Sequence, residues 1–452
     1  MHKPCRFWPT PPWTRCWSWQ PTPWPSAPSA AADLPSPLPV NPCRTRATVA
    51  TEPRLYLDGC ATTPPSAGVR AAVAAAQEDL WGNPSSRHLE GRQACLALER
   101  SREHVAQLLD VPPDWVVFTS GGTEANQLAI HGVLGAAGGA AICSAVEHPA
   151  VGNLLHNRQQ AATRLELLRP DGHGRLSGAS LLERLHGGPV DLVSVIAAQS
   201  EVGSLQPLGA MGGVCGSRGI PLHSDGVQLC GKAPLSPRRL GVDLLTISAH
   251  KFCGPKGIGA LIRNPRLTLR PVYPGGGQES GLRSGTPAVP LAVGFGVAAQ
   301  EARRALEQQS EPLWQRWARR LREQLWNVPG IEPTGHPEDR LPGHVSCLVS
   351  TPGGEPLEGS HVVRALDSCG YAVSSGSACR SGSAQPSTVL LAMGVDPARA
   401  RSGLRLCLGP WLCGGDTAVV EDRLRELPRV VRQLCCRLTP LGQPESVRQS
   451  GG

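Results

Sequence analysis

A lysine placed where an apolar run breaks into a turn can do amine chemistry, and residues 246–259 form such a place. Residues 242–247, apolar except for Asp243 and Thr246, lead into Ser248, His250 and Lys251, and then into Gly254, Pro255, Gly257 and Gly259. Beside hydroxyl and imidazole groups, a lysine at the end of a buried strand suits a Schiff-base amine beneath a phosphate. Burial and cationic neighbours lower its pKa and free the amine to attack an aldehyde. Taken alone, the same residues read as a surface lysine in a Gly/Pro loop.

Three further strand ends bear on that choice. Residues 115–118 are apolar and run into Thr119-Ser-Gly-Gly-Thr-Glu-Ala-Asn126, which opens a helix through Ile130. Free N–H groups and the helix dipole favour an anion at such a turn, although neither G-x-x-x-x-G-K nor G-x-G-x-x-G is present. His148 follows residues 140–146, apolar except for Ser144, and Asp225, with Gln228 three positions on, follows residues 220–223. Asp225 by itself reads as a helix cap or a surface turn. Together the four features meet the needs of a pyridine-aldehyde cofactor, whose phosphate needs N–H and hydroxyl donors. Its ring nitrogen needs a carboxylate and its aldehyde a lysine. Cys379 stands apart, with Ser374, Ser375, Gly376, Ser377 and Ala378 before it and Ser381, Gly382 and Ser383 after. A thiol in so small-residue a loop suits a nucleophile that reaches a substrate and later hands something on; the plainer reading is a chance cysteine in a linker.

The elements that must position these groups alternate. Strands are expected at 55–57, 115–118, 140–146, 190–197, 220–223, 244–247, 344–350, 371–373 and 404–408. Helices are expected at 69–81, 92–109, 361–368 and 387–393, with one long helical region over about 288–326. Alternation with polar strand ends predicts an α/β fold, a mostly parallel sheet with its ligand site at the carboxyl edge. The 452 residues leave room for two or three domains, and Gly 52, Pro 44 and 4% aromatic content describe a loop-rich globular chain. A net charge of +8 without a dense basic run gives no support to nucleic-acid or membrane binding. No uncharged apolar run reaches transmembrane length. Sixteen cysteines show no Cys-x-x-Cys, and no histidines stand three or four apart, so no metal ligands are expected. Cys143, Cys215, Cys230 and Cys347 read as small buried hydrophobes in a reducing, cytoplasmic setting. Residues 1–53, with Trp8, Trp13, Trp17, Trp19 and Trp24 among prolines, read as a disordered extension.

From about Leu55 to Leu408 the chain resembles the class V aminotransferase-fold cysteine desulfurases, the NifS-like family. YLDGCATTPP, GNPSSRH, FTSGGTEANQLAI, EHPAV, HSDGVQ, SAHKFCGPKGIGAL, GGGQESGLRSGT and SSGSAC carry the resemblance in order. It implies a fold-type I, pyridoxal-phosphate-dependent enzyme. Segment 54–66 would pack with the small domain, 67–305 would form the large cofactor domain with a seven-stranded-type sheet, 306–440 the smaller α+β domain, and 441–452 a tail. By the resemblance, Lys251 is the Schiff-base lysine, Asp225 pairs with the ring nitrogen, Gln228 with the ring hydroxyl, and His148 stacks on the ring and shuttles protons. Gly122, Thr123, Ser248 and His250 hold the phosphate, with Thr286 reaching it from the other subunit of a homodimer. Arg405, helped by Asn83, clamps the carboxylate of L-cysteine, and Cys379 takes the sulfur as a persulfide for an acceptor or iron–sulfur scaffold protein.

Three positions depart from the family pattern. Ser200 stands where an asparagine usually bonds the ring hydroxyl, with Gln199 a potential substitute. Ser280 replaces an arginine, and Gly409-Pro-Trp411 replaces Gly-Arg-Phe. Rival expectations are a selenocysteine lyase, separable by relative turnover of L-cysteine and L-selenocysteine, and a weakly active scaffold or sulfur carrier of the same fold.

Overall fold

The computed structural model describes residues 53–441 apart from 137, 309 and 377–384. Its strands, in chain order, are β1 (Leu55–Tyr56), β2 (Val116–Thr119), β3 (Gly139–Ser144), β4 (Thr163–Leu168), β5 (Leu192–Ser194), β6 (Leu222–Asp225), β7 (Leu244–Ser248), β8 (Gly259–Arg263), β9 (Ile331–Pro333), β10 (His344–Val349), β11 (Tyr371–Ala372) and β12 (Gly403–Cys407).

Seven of them form one sheet in the order β2-β8-β7-β6-β5-β3-β4. The strands from β7 to β4 pair in parallel, whereas β8 is antiparallel to both β7 and β2. Because β8 reverses twice, β2 points the same way as β7. The ends of β2, β3, β5, β6 and β7 therefore emerge at one carboxyl edge, which is where an open α/β sheet holds its ligand. The β6 and β7 strands are buried along their whole length, as expected for a sheet covered on both faces. Neither β4 nor β8 is among the sequence expectations: β4 alternates exposed and buried residues weakly, and β8 lies where glycines read as turn.

The expected helix over 288–326 is two helices, Val289–Glu307 and Leu313–Leu325. Pro312 stands at the N-cap of the second; it has no N–H to continue a helix and biases the preceding residue away from helical angles. The second helix buries Trp314, Trp317, Ala318, Leu321 and Leu325 along one stripe. With helix Thr417–Arg437 and the three-stranded antiparallel sheet β12-β10-β9, it encloses a separate core that includes Val345, Leu404, Leu406 and Leu427. Strand β1 joins this region: it pairs in parallel with β11, and Asp58 bridges Cys407. Cys143, Cys215, Cys230 and Cys347 are buried as expected.

Candidate active site

Strand β7 delivers Ser248 into a single turn, Ala249–Lys251, at the carboxyl edge. The return strand must start at a glycine: a Cβ on Gly259 would stand 2.7 Å from the Gly121 carbonyl carbon. Lys251 Nζ donates to the carbonyl oxygens of Cys60 (2.6 Å) and Ala61 (2.8 Å). Burial pushes the Lys251 amine down to about 8; Cys60 and Asp225 oppose the shift, and Lys232 and Arg405 add to it. An amine so placed is neutral far more often at neutral pH than a surface lysine.

Asp225 ends β6 with its carboxylate buried. Asn126 Nδ2 donates to one oxygen (2.8 Å) and the Val227 N–H to the other (3.0 Å), so the group is oriented from two sides. Gly122 opens the helix Gly122–Leu134, whose N-cap Gly121 supplies no side-chain bond to the first-turn N–H groups. A Cβ on Gly122 would lie 3.0 Å from Val227 Cγ2 and 3.7 Å from Ser248 Cβ. The anion-favouring turn, the end of β7 and the Asp225 turn are thus neighbours. Thr123 is exposed at that turn and Ser248 is buried. His250 Nδ1 stands 3.1 Å from Thr62 Oγ1. Burial and the nearby lysines push His250 down to about 4, so its ring is neutral at pH 7.

His148 caps the helix Pro149–Ala161; its Nδ1 accepts from the Ala150 N–H (3.1 Å), which puts the proton of the neutral ring on Nε2. The preceding Glu147 is half-buried and accepts from the Ile196 N–H. Burial and the charge of Asp225 hold its carboxyl well above the usual range. Gln228 Nε2 donates to the Cys60 carbonyl (2.9 Å) and its Oε1 accepts from Lys232 (3.3 Å).

Arg405, buried on β12, donates from Nη2 to Asp58 (2.8 Å) and from Nη1 to the carbonyls of Ser200 (3.1 Å) and Gly376 (3.4 Å). Its Nε has no partner among the described residues. Ser200 therefore reaches the site through its backbone. Gln199 does not replace the missing asparagine amide: its Oε1 accepts from the Glu201 and Val202 N–H groups and its Nε2 donates to Val146. Ser280 takes a left-handed conformation (φ 55°) beside Glu279, whose carboxylate binds Arg102 and the Phe118 N–H.

Lys251, Asp225, Gln228, Ser248, His250, Gly122 and Arg405 thus gather at one edge. Asn83 and Thr286 are both exposed, and Asn83 Oδ1 accepts from the Ser85 N–H. Cys379 lies outside the described residues; Gly376, just before that segment, is held at Arg405. Sequence reasoning missed the Asp58–Thr63 strap, which meets Lys251 and Gln228 through backbone carbonyls, and Asn126, although both stand inside quoted motifs.

A buried amine, a fixed buried carboxylate, an uncapped helix N-terminus and a guanidinium with a free Nε–H fit pyridoxal 5'-phosphate carrying an amino acid. The aminotransferase class-V family model matches residues 55–412. An IscS-like cysteine desulfurase of Mycobacterium tuberculosis is 38% identical over 385 residues, covering 83% of this chain and 96% of its own. The X-ray structure of a NifS-like protein from Rickettsia africae superposes with a TM-score of 0.73 at 27% identity, covering 83% of this chain and 99% of the other. The structure of SspA in complex with cysteine superposes with a TM-score of 0.69 at 31% identity, covering 78% and 99%. The chain belongs to the aminotransferase class-V family, among its pyridoxal-phosphate-dependent, NifS-like cysteine desulfurases.

Proposed function

We propose that the protein removes sulfur from L-cysteine, releasing L-alanine, with pyridoxal phosphate held at Lys251 and the sulfur received as a persulfide on Cys379. The observation that carries this reading is the convergence of Lys251 and Arg405 on one strap, Asp58–Ala61, at the carboxyl edge that also holds Asp225. When bound, the cofactor supplies an electron sink for charge at the substrate's α-carbon.

The chain's own residues do the rest. Asp225, oriented by Asn126 and Val227, would face the ring nitrogen, and Gly122, Thr123, Ser248 and His250 would hold the phosphate. Lys251, with a pKa of about 8, takes and returns a proton at Nζ near neutral pH. His148 offers a second exchangeable proton at Nε2. Arg405 holds the substrate carboxylate through its free Nε and the Nη2 now shared with Asp58, a fork suited to a planar anion. Asn83 is assigned a supporting part in that clamp. The Cys379 thiolate attacks the substrate sulfur, the carbon–sulfur bond breaks, and its electron pair stays with the carbon skeleton that leaves as alanine. Arg405 anchors Gly376, three residues before Cys379, and so ties the clamp to the segment that carries the acceptor thiol.

The working unit we assign is a homodimer in the cytoplasm that passes its sulfur to an acceptor or iron–sulfur scaffold protein. Residues 67–305 would act as the cofactor domain and 306–440 as the smaller one. The exposure of Thr286 supports the dimer, since from there it can serve the phosphate of a second subunit. The free state of the described cysteines supports a reducing compartment. The purified protein should be yellow and release sulfide and alanine from L-cysteine with a reductant. Lys251→Ala should lose colour and activity, and Cys379→Ala should keep the colour and lose desulfuration. Full activity in Cys379→Ala would refute the mechanism.

A further inference from the structure

Three chemically soft side chains from distant parts of the sequence meet beside this site. His344 opens β10 and Cys407 ends β12, and the two residues face each other across the antiparallel pair, so their side chains share a face of the sheet. The strap reaches the same point: the Cys407 N–H donates to the Leu57 carbonyl (2.6 Å) and the Gly59 N–H to the Cys407 carbonyl (3.3 Å), which brings in Cys60. The two sulfurs and a ring nitrogen of His344 all lie within 4.8 Å of one another, with the three residues 1–3% exposed.

Two of the three donors are in the state a metal takes; burial and the Cys60 thiol hold the third, Cys407, well above its ordinary pKa, so its proton leaves only as a metal binds. His344 Nε2 stands 3.3 Å from the Ser200 carbonyl, so it carries the proton, and Nδ1 is left as a bare lone pair with no partner among the described residues. Burial and the neighbouring arginines keep the ring neutral. The Cys407 thiol holds the Cys60 thiol below its ordinary pKa, and Lys232, Arg405 and Lys251 add to that, which favours the ligating thiolate. Those same cations would repel a bare dication, but two thiolates cancel its charge. The spacing also suits one ion. Two thiolates on a tetrahedral zinc at about 2.3 Å each stand about 3.8 Å apart, so side-chain rotation of about an ångström closes the site.

We propose that Cys60, His344 and Cys407 form a metal site for a borderline-soft divalent cation, zinc above all, which clips the strap that holds Lys251 to the small sheet that holds Arg405. Binding displaces the thiol protons still present and leaves a fourth position for water or an exogenous thiol. No local spacing in the sequence marks it, because the ligands come from three separate strands and turns.

The test uses the full-length, cofactor-loaded protein, stripped with a chelator, kept reduced with a phosphine and dialysed against cobalt(II) or zinc(II). The expected result is one cobalt per chain, with a thiolate-to-cobalt charge-transfer band and the intense visible bands of a four-coordinate site. Cys60→Ser and Cys407→Ser should each abolish the charge-transfer band, and Cys379→Ser should keep it. X-ray absorption of the zinc-loaded native protein, which needs no variant to fold, should show two sulfur and at least one nitrogen neighbour. The proposal is overturned by native protein without the thiolate band, by a band that survives Cys60→Ser or vanishes in Cys379→Ser, or by a zinc shell without sulfur.

Discussion

Replacing Lys251 by methionine tests the claim that burial holds its amine near neutrality. The ordinary lysine pKa of 10.5 falls to about 8 in the fold. The unfolded chain therefore holds a proton on Lys251 between pH 8 and 10.5 that the folded apoprotein has released. Stability rises with pH wherever the unfolded state binds more protons, so the native apoprotein gains stability across that window and carries the full penalty below it. At about 1.4 kcal/mol for each tenfold change in proton affinity, the gain is at most about 3 kcal/mol. Methionine fills about the same volume without a titrating group, so ionisations remote from Lys251 cancel in the difference between the two proteins; Cys60, whose thiol feels the Lys251 charge, is replaced by serine in both. Urea unfolding of both apoproteins from pH 7 to 10.5 should show the native chain gaining about 3 kcal/mol on the variant. The offset at pH 7 is a separate quantity, since methionine also leaves the Cys60 and Ala61 carbonyls unpaired. A difference that stays flat with pH would refute the buried, depressed amine. The functional counterpart is a neutral fraction of about one in ten at pH 7, against about three in ten thousand for a surface lysine.

Three other changes probe the frame around that amine. Asp58→Asn removes the charge that occupies Arg405 Nη2 but keeps an acceptor there. A charged partner is worth about 1 kcal/mol more than a neutral one, so KM for L-cysteine should fall about fivefold; a rise in KM would show that Asp58 orients the clamp rather than competes for it. Glu279→Ala strips a buried carboxylate from Arg102 and from the Phe118 N–H, leaving the guanidinium with the half-exposed Glu99 and the Val116 carbonyl. Its urea midpoint should report a loss of about 1–3 kcal/mol, and an unchanged midpoint would sink that account. Gly259→Ala forces a methyl against the Gly121 backbone, costing about 1–3 kcal/mol. Titration of the apoprotein followed by absorbance should show weaker cofactor binding, whereas native affinity would mean the Gly121 turn holds no phosphate.

What could be read from the sequence was whatever announces itself through local order. Lys251, Asp225 and Gly122 each end or follow an apolar run, and hydrophobic periodicity marks such positions whatever the partners. The seven-stranded sheet was legible to the same extent: its parallel strands from β7 to β3 followed from alternation, while β4 was hidden by its weak alternation and β8 because its first residue is a glycine demanded by a backbone contact. Pro312 is visible as a residue, but the helical polarity on either side of it masks its effect, two helices in place of one. The strap escaped for a different reason. Lys251 and Gln228 meet it at carbonyl oxygens, and a carbonyl has no residue type to search for. Cys60 was indistinguishable from a buried hydrophobe until β10, β12 and the strap were folded together. That arrangement has a functional consequence. The chain leading into the strap is fixed by the bonds of Leu55 and Leu57 to Gly370, Ala372 and Cys407, and the strap itself by the Gly59 N–H on the Cys407 carbonyl; the strap's carbonyls accept both protons that Lys251 donates. Arg405 and Cys407 are therefore joined to the amine by a short run of hydrogen-bonded chain. The substrate clamp and the amine thus meet on one strap, Asp58–Ala61, although Lys251 and Arg405 stand far apart in the sequence.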